Sequence, residues 1–170
     1  MTRMENLQDV LIDQLADIRS AEQQLTTALP QMASAASEPK LREAFEHHLD
    51  ETRGHLRRLE EVFAEIGITP PTETCEGMQG LIREGEEVIN ASGDPSAKDA
   101  ALIAAAQRVE HYEIAAYGTV RTLADHLDFD HSKQLLDDTL DEESEADKLL
   151  TKIATGGMVR KGVNEKAGAR

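Results

Sequence analysis

The chain contains few aromatic residues: it has no tryptophan, three phenylalanines and two tyrosines among 170 residues. Its core must therefore be built from Leu, Ile, Val, Ala and Met, which suit packed helices. Cys75 is the single cysteine, so no disulfide can form within the chain. No stretch approaches the roughly 20 apolar residues that span a bilayer, and the start of the chain lacks the apolar segment of a signal peptide. These absences predict an all-α, cytoplasmic protein.

Basic residues are also scarce, since 18 Lys and Arg stand against 33 Asp and Glu and give a formal net charge of −15. Such a charge argues against nucleic acid and anionic membranes as partners and makes cations the more natural ligands. The length is that of one domain, which can bury a single large core. We therefore expect one domain with no nucleic-acid or membrane partner.

Hydrophobic residues recur at steps of three and four in several segments, which is typical of amphipathic helices. Long helices are expected at about 5–36, 40–66, 97–127 and 132–155, and a shorter helix at about 77–91. Segments rich in Pro, Gly, Ser and Asp separate them. The final segment, 156–170, is basic and has few apolar residues, so it is expected to be disordered.

The lengths of the connections predict the topology. Short connections make the first and second long helices, and the third and fourth, antiparallel neighbours. The long connection between these two pairs carries the short extra helix. A single long crossover of this kind is typical of a ferritin-like four-helix bundle, which is the fold that we expect.

Each long helix has acidic, histidine or hydroxyl residues at positions that should face the core. These are Glu22 on the first helix, His48, Thr52 and His55 on the second, Glu113 on the third, and Glu143 and Asp147 on the fourth. Burial of an unpaired carboxylate is strongly unfavourable, and Lys and Arg are nearly absent from the same positions. A bound cation would compensate the buried charge.

The spacing of the acids supports a shared site. Glu51 follows Glu22 by 29 residues (51 − 22), and Glu143 follows Glu113 by 30 (143 − 113), so each helix pair places its carboxylates at a similar height. Carboxylates with one or two imidazoles suit iron or manganese, whereas a structural zinc site would have thiolates or more histidines. The sequence therefore predicts two metal ions per subunit, with iron as first choice and manganese or zinc as alternatives.

Several residues keep two open interpretations. His48 is either a metal ligand or a hydrogen-bonded core residue. Glu110, three residues before Glu113, is either a ligand or part of an exposed flank. Tyr117 is either a core residue with a satisfied hydroxyl or an oxidisable group near a metal. Cys75, with no second thiol nearby, is interpreted as a bystander.

Three strings, SAEQQL (20–25), AFEHHLDETRGHLRRLE (44–60) and AALIAAAQRVEHYEIAAYGT (100–119), resemble the YciE/YciF-type bacterial stress proteins. The resemblance extends over about 5–154, and the third string is its most specific part. LLDDTLDEESEADKLL (135–150) is similar to the pattern of paired acids followed by Ala-Asp in that family.

This resemblance implies a ferritin-like fold, a homodimer, a role in stress and a dinuclear metal site. The family's acidic positions match Glu22, Glu51, Glu110, Glu113, Glu143 and Asp147. The wider superfamily has Glu-x-x-His on two helices, whereas here His55 follows Glu51, and Asp147 follows Glu143, by four residues. That departure leaves the metal and its oxygen chemistry open.

Two functions therefore stand as hypotheses. In the first, two metal ions bind Glu22, Glu51, His55, Glu110, Glu113, Glu143 and Asp147, and the centre reacts with oxygen or peroxide. In the second, the protein is a non-catalytic structural dimer whose buried acids are paired or protonated. A ferritin-type storage cage is less favoured, because nothing in the sequence specifies a large shell.

Overall fold

The computed structural model of the protein describes residues 4–157 and 160–168. In chain order they form α1 (Leu7–Ala35), α2 (Pro39–Ile66), α3 (Glu76–Asn90), α4 (Pro95–His126), α5 (Asp130–Thr155), β1 (Gly156–Gly157), β2 (Arg160–Lys161) and α6 (Val163–Gly168). The two short strands pair antiparallel, with Gly156 opposite Lys161. Apart from this pair, the regular secondary structure of the described residues is all helical, which confirms the predicted all-α class.

The four long helices surround one interior. α1 packs against α2 and α4, and α5 packs against α2 and α4, while α3 lies against α1 and α4. One apolar cluster, which includes Leu25, Phe45 and Leu102, occupies one end of the interior. A second, which includes Leu15 and Phe63, occupies the other end. Between these clusters lie six buried acids and histidines of the four helices: Glu22, His48, His55, Glu110, Glu113 and Glu143.

Local capping explains why α4 begins earlier than the hydrophobic pattern suggests. Pro95 occupies the first turn, where its missing N–H is not needed, and the Asp94 side chain accepts a hydrogen bond of 2.9 Å from the Ala97 N–H. α1 begins in the same way, since the Asn6 side chain accepts a bond of 2.9 Å from the Asp9 N–H. Both helices therefore begin with side-chain N-caps.

Asp99, at the start of α4, holds the junction between α1 and α2. Its buried carboxylate accepts hydrogen bonds from the Ser37 N–H at 2.8 Å and the Glu38 N–H at 2.7 Å. We expect Asp99→Ala to lower the free energy of unfolding by about 2–4 kcal/mol, because it leaves two backbone donors without their charged acceptor. Asp94→Ala, which removes an exposed cap, should cost about 1 kcal/mol. Urea unfolding measures both, and equal losses would contradict the special role of Asp99.

The end of the chain is structured where the sequence predicts disorder. The side chain of Val163 in α6 is buried in the same apolar cluster as Leu102, and the Lys166 ammonium donates a hydrogen bond to the Glu38 carboxylate. Gly162 approaches the end of α5 so closely that an added Cβ would lie 2.3 Å from the Ala154 carbonyl oxygen. A low apolar content therefore does not predict disorder here, because one valine reaches the core. Residues 158, 159, 169 and 170 lie outside the described residues.

Charged side chains cover the outer faces of the long helices. Arg19 of α1 pairs with Glu60 of α2 at 2.7 Å, and Arg121 of α4 pairs with Asp137 of α5 at 2.6 Å. Exposed pairs of this kind add little to stability. Among the helices that the structure describes, none combines the length and the apolar composition that a membrane span requires.

Candidate metal centre

Carboxylates and histidines from four helices meet between the two apolar clusters. The possible ligand atoms form two sets, and within each set all atoms lie within 4.8 Å of one another. Site A comprises His48, Glu110, Glu113 and Glu143, and site B comprises Glu22, His55 and Glu143. Every member is buried. Because Glu143 belongs to both sets, it joins the two sites.

Helix geometry explains how one segment of α2 and one of α4 supply three residues of site A and the histidine of site B. Glu110 and Glu113 are three residues apart on α4, and His48 and His55 lie two turns apart on α2, so each pair shares a helix face. The two imidazole rings are consequently close, with centroids 6.2 Å apart. α2 and α4 thus place both rings and two carboxylates in one space.

Many polar atoms of this centre lack a hydrogen-bond partner in the described chain. They include both carboxylate oxygens of Glu113, Oε2 of Glu22, of Glu110 and of Glu143, and Nε2 of His48. The His48 Nε2 lies 3.5 Å from Glu110 Oε1 and from Glu143 Oε2, which is too long for a good hydrogen bond. Buried polar atoms are rarely left unpaired in proteins. Carboxylate oxygens and an imidazole nitrogen are also the atoms that bind metal ions, so the donor set fits a cation.

Without a cation, the buried acids differ in their preference for charge. Burial raises the pKa of Glu113 well above its ordinary value, and the nearby Glu143 and Glu22 carboxylates raise it further. Burial is also the main cause of the raised pKa values of Glu110 and Glu22. For Glu143, burial acts in the same direction, but the neighbouring His48 and His55 outweigh it and lower the pKa. Glu143 is therefore the acid that stays charged.

The two histidines provide positive charge in the metal-free centre. Burial alone would lower the pKa of His48, but the Glu110 and Glu143 carboxylates raise it to about 10. Burial would likewise lower the pKa of His55, and Glu143 and Glu22 raise it to about 11. Two imidazolium ions face four buried acids, so protons or an added cation must balance the remaining two negative charges.

Two residues orient site B from outside. The His55 Nε2 lies 2.9 Å from Glu142 Oε2, and Arg58 holds this carboxylate with contacts of 2.5 and 2.8 Å. The His55 Nδ1 consequently faces inward, 3.1 Å from Glu22 Oε1 and 3.1 Å from Glu143 Oε1. Such outer partners set the orientation and the tautomer of a ligand imidazole. Glu142 is not among the residues predicted from sequence, although Arg58, one turn after His55, marks the same face of α2.

The hydroxyl of Tyr117 donates a hydrogen bond of 2.5 Å to Glu22 Oε1, and the side chain is fully buried. Burial raises the pKa of this hydroxyl well above its ordinary value, and Glu22 and Glu113 add to the effect. Of the two interpretations of Tyr117, the geometry matches a core residue with a satisfied hydroxyl. Its contact with Glu22 also makes it a neighbour of site B.

Two of the predicted ligands lie beside the centre rather than in it. Glu51 Oε2 is 3.3 Å from the His48 Nδ1, and its side chain is 24% exposed. Asp147 accepts a hydrogen bond of 2.9 Å from Gln107 and lies 3.4 Å from the His111 Nε2, with 22% of its side chain exposed. The structure brings together Glu22, His55, Glu110, Glu113 and Glu143, and adds His48.

Comparison with known proteins agrees with this architecture. The family described as "Domain of unknown function (DUF892)" matches residues 6–167. Protein YciF of Escherichia coli (strain K12) is 45% identical over 163 residues, which cover 95% of this chain and 98% of that protein. Both matches span nearly the whole chain.

Solved structures show the same likeness. The crystal structure of the E. coli stress protein YciF has a TM-score of 0.86 and 46% identity, over 88% of this chain and 94% of that one. YcfI from Rhodopseudomonas palustris, described as a candidate structural protein, has a TM-score of 0.86 and 39% identity, over 91% of this chain and 99% of that one. The resemblance seen in the sequence is thus confirmed, and the chain belongs to the DUF892 family, alongside a relative known as a stress protein.

Proposed function

We propose that the protein is a ferritin-like four-helix bundle that binds two divalent metal ions, iron in the first place, in sites A and B. The observation that carries this proposal is the set of buried, unpartnered carboxylate oxygens, above all the two oxygens of Glu113. Carboxylates with imidazoles form a donor set that suits iron and manganese. The long helices and the crossover helix α3 support the bundle topology.

The residues take distinct roles in this proposal. Glu143 connects the two sites, Glu113 and Glu110 complete site A with His48, and Glu22 completes site B with His55. Glu142 holds the outward nitrogen of His55, and Glu51 holds that of His48, so each imidazole presents its other nitrogen to the centre. Bound iron would supply redox chemistry toward oxygen or peroxide. The two apolar clusters keep bulk water away from the centre.

We propose that the protein is cytoplasmic and forms a homodimer, as the sequence resemblance to the YciE/YciF-type stress proteins implies. The activity that fits this assignment is an oxidase or peroxide-consuming reaction. Size-exclusion chromatography with light scattering should give a particle of two chains. A much larger particle would instead support a storage cage.

Metal analysis of protein purified without chelator tests the proposal. We expect about two metal ions per chain, and strongly reduced binding in the double variant Glu22→Ala with Glu143→Ala. Metal-dependent consumption of peroxide or oxygen would then establish the reaction. A content below about one ion per two chains that the double variant does not change would contradict the metal centre.

The alternative is a structural protein without an essential metal, and one observation favours it. Glu22 and Glu143 contact the charged His55, while the raised pKa values of Glu113 and Glu110 allow these acids to remain protonated. In that case the metal-free protein is the functional form. Its melting temperature should not change when Fe²⁺, Mn²⁺ or Zn²⁺ is added, whereas the metal proposal requires an increase.

A further inference from the structure

A cavity of about 110 Å³ lies between α2 and α5 and opens to the surface beside site A. Ala146 and Leu149 line its apolar side, while Glu51, His48 and Glu110 line the side that faces the centre. A water molecule needs roughly 10–15 Å³ of such space, so the cavity has room for several. It can therefore hold a cation that keeps part of its hydration shell.

The polar side of the cavity forms a continuous series of donor atoms from solvent to site A. Glu51 Oε2 lies 3.2 Å from the His47 Nδ1 and 3.3 Å from the His48 Nδ1, and the His48 Nε2 lies 3.5 Å from Glu110 Oε1. Exposure falls along the same series, from 70% for the His47 side chain to 24% for Glu51, 6% for His48 and 4% for Glu110. The inner end carries unpartnered atoms, Nε2 of His48 and Oε2 of Glu110.

This gradient matters because removal of a divalent cation from water in one step is very costly. The members of site B and Glu113 are almost fully buried, so an ion cannot reach them directly from solvent. A partly exposed carboxylate at the mouth of a cavity lets an ion exchange its waters one at a time for protein oxygens. The geometry of Glu51 meets this requirement, and its position outside both ligand sets fits a transient role.

We infer that Glu51, with His47 beside it, is a transfer site for divalent cations, which takes an ion from solvent and passes it to His48 and Glu110 without remaining in its final coordination shell. The inference rests on the proposed metal centre and adds its route of uptake. It also gives the charge at position 51 a role beyond the contact of Glu51 with the His48 Nδ1.

Stopped-flow binding of Co²⁺ to the full chain tests this inference, with bound Co²⁺ followed by its visible absorption. Glu51→Gln removes the charge but keeps an oxygen that can accept the His48 N–H, so the orientation of that ring is preserved. We expect uptake about tenfold slower than in the wild type, because the partly exposed Glu51 carboxylate attracts the cation and raises the rate of ion capture. The final number of bound ions should be unchanged.

Two further variants separate charge from access. Glu46→Gln removes an exposed acid on the same helix that lines a different groove, and should change the rate by less than about twofold. Ala146→Leu narrows the cavity without changing charge, and should slow uptake while the final stoichiometry stays the same. Circular dichroism verifies that every variant keeps its helical content.

The outcomes distinguish this inference from the proposed function. Unchanged kinetics in Glu51→Gln, with normal binding by the wild type, would refute the transfer site alone. A lower final stoichiometry in Glu51→Gln would make Glu51 a permanent ligand and would also overturn the inference. Absence of Co²⁺ binding by the wild type would remove the metal centre itself, and the transfer site with it.

Discussion

Glu143→Gln should abolish most metal binding at both sites, with a fall in affinity of at least about a hundredfold. Loss of an outer-shell partner alone typically costs 10–100-fold in affinity, and Glu143 lies within the inner set of both sites. It is also the buried acid whose pKa is lowered, since His48 and His55 outweigh the effect of burial, so the wild type carries a negative charge there. Equilibrium dialysis against Co²⁺, followed by metal analysis, measures the change.

The matched control is Asp141→Asn, which makes the same change of charge on an exposed residue of α5, two positions from Glu143. It should leave both stoichiometry and affinity close to those of the wild type, since an exposed charge is screened by salt. If Glu143→Gln kept two tightly bound ions, the assignment of Glu143 as the shared ligand would be wrong. If both variants lost binding equally, the general acidity of the surface would be responsible.

Glu113→Leu should stabilise the metal-free protein and remove most of the stabilisation that bound metal provides. In the metal-free protein we expect the free energy of unfolding to rise by about 2–4 kcal/mol, because a buried acid without partners is replaced by an apolar side chain of similar size. With Co²⁺ at 100 times its dissociation constant, the wild type should gain about 2.7 kcal/mol by linkage. The variant should gain much less, because its site A lacks a ligand. Urea unfolding in chelator and in Co²⁺ gives the free energies of unfolding of the wild type and of the variant under both conditions.

Thr52→Val supplies the comparison for this experiment. The Thr52 hydroxyl is also fully buried without a partner, but it is uncharged and outside both ligand sets. Its removal should raise stability by about 1 kcal/mol and leave the response to Co²⁺ unchanged. A large loss of stability in metal-free Glu113→Leu would mean that the Glu113 carboxyl is compensated without any metal, and would favour the structural alternative.

The periodicity of the sequence predicts the helical class because the apolar residues that each long helix buries recur at steps of three and four. It also predicts most of the buried acids, since Glu22, Glu113 and Glu143 interrupt those faces. Burial of a charge is visible in a sequence as a polar residue at an apolar position. The matched spacing of the helix pairs then indicates that these residues share a site.

Periodicity cannot choose between neighbours on one helix face. Glu51 and His48 are three residues apart, and only the distances from His48 to Glu110 of α4 and Glu143 of α5 show that His48 points into site A while Glu51 remains at the cavity. Periodicity does not indicate Glu142 for a related reason, because its partners Arg58 and His55 come from another helix. Contacts between distant helices depend on their rotation and height, and these are set by the whole core.

The end of the chain shows a different limit of prediction from sequence, which concerns order and disorder. Its composition is polar and basic, so a window of average hydrophobicity predicts disorder, yet Val163 is buried and Lys166 bonds to Glu38. A short segment can be ordered by one apolar contact and one ion pair if the rest of the fold presents the matching surface. That surface cannot be seen from the segment itself.

The shared position of Glu143 has a thermodynamic consequence for the proposed pair of ions. One carboxylate has a single negative charge, so an ion in site A reduces the charge that Glu143 can offer to an ion in site B, and the reverse holds equally. Binding at the two sites is then coupled, and by linkage the coupling free energy is the same whichever site fills first. A calorimetric titration should accordingly show two unequal steps instead of two independent equivalent sites.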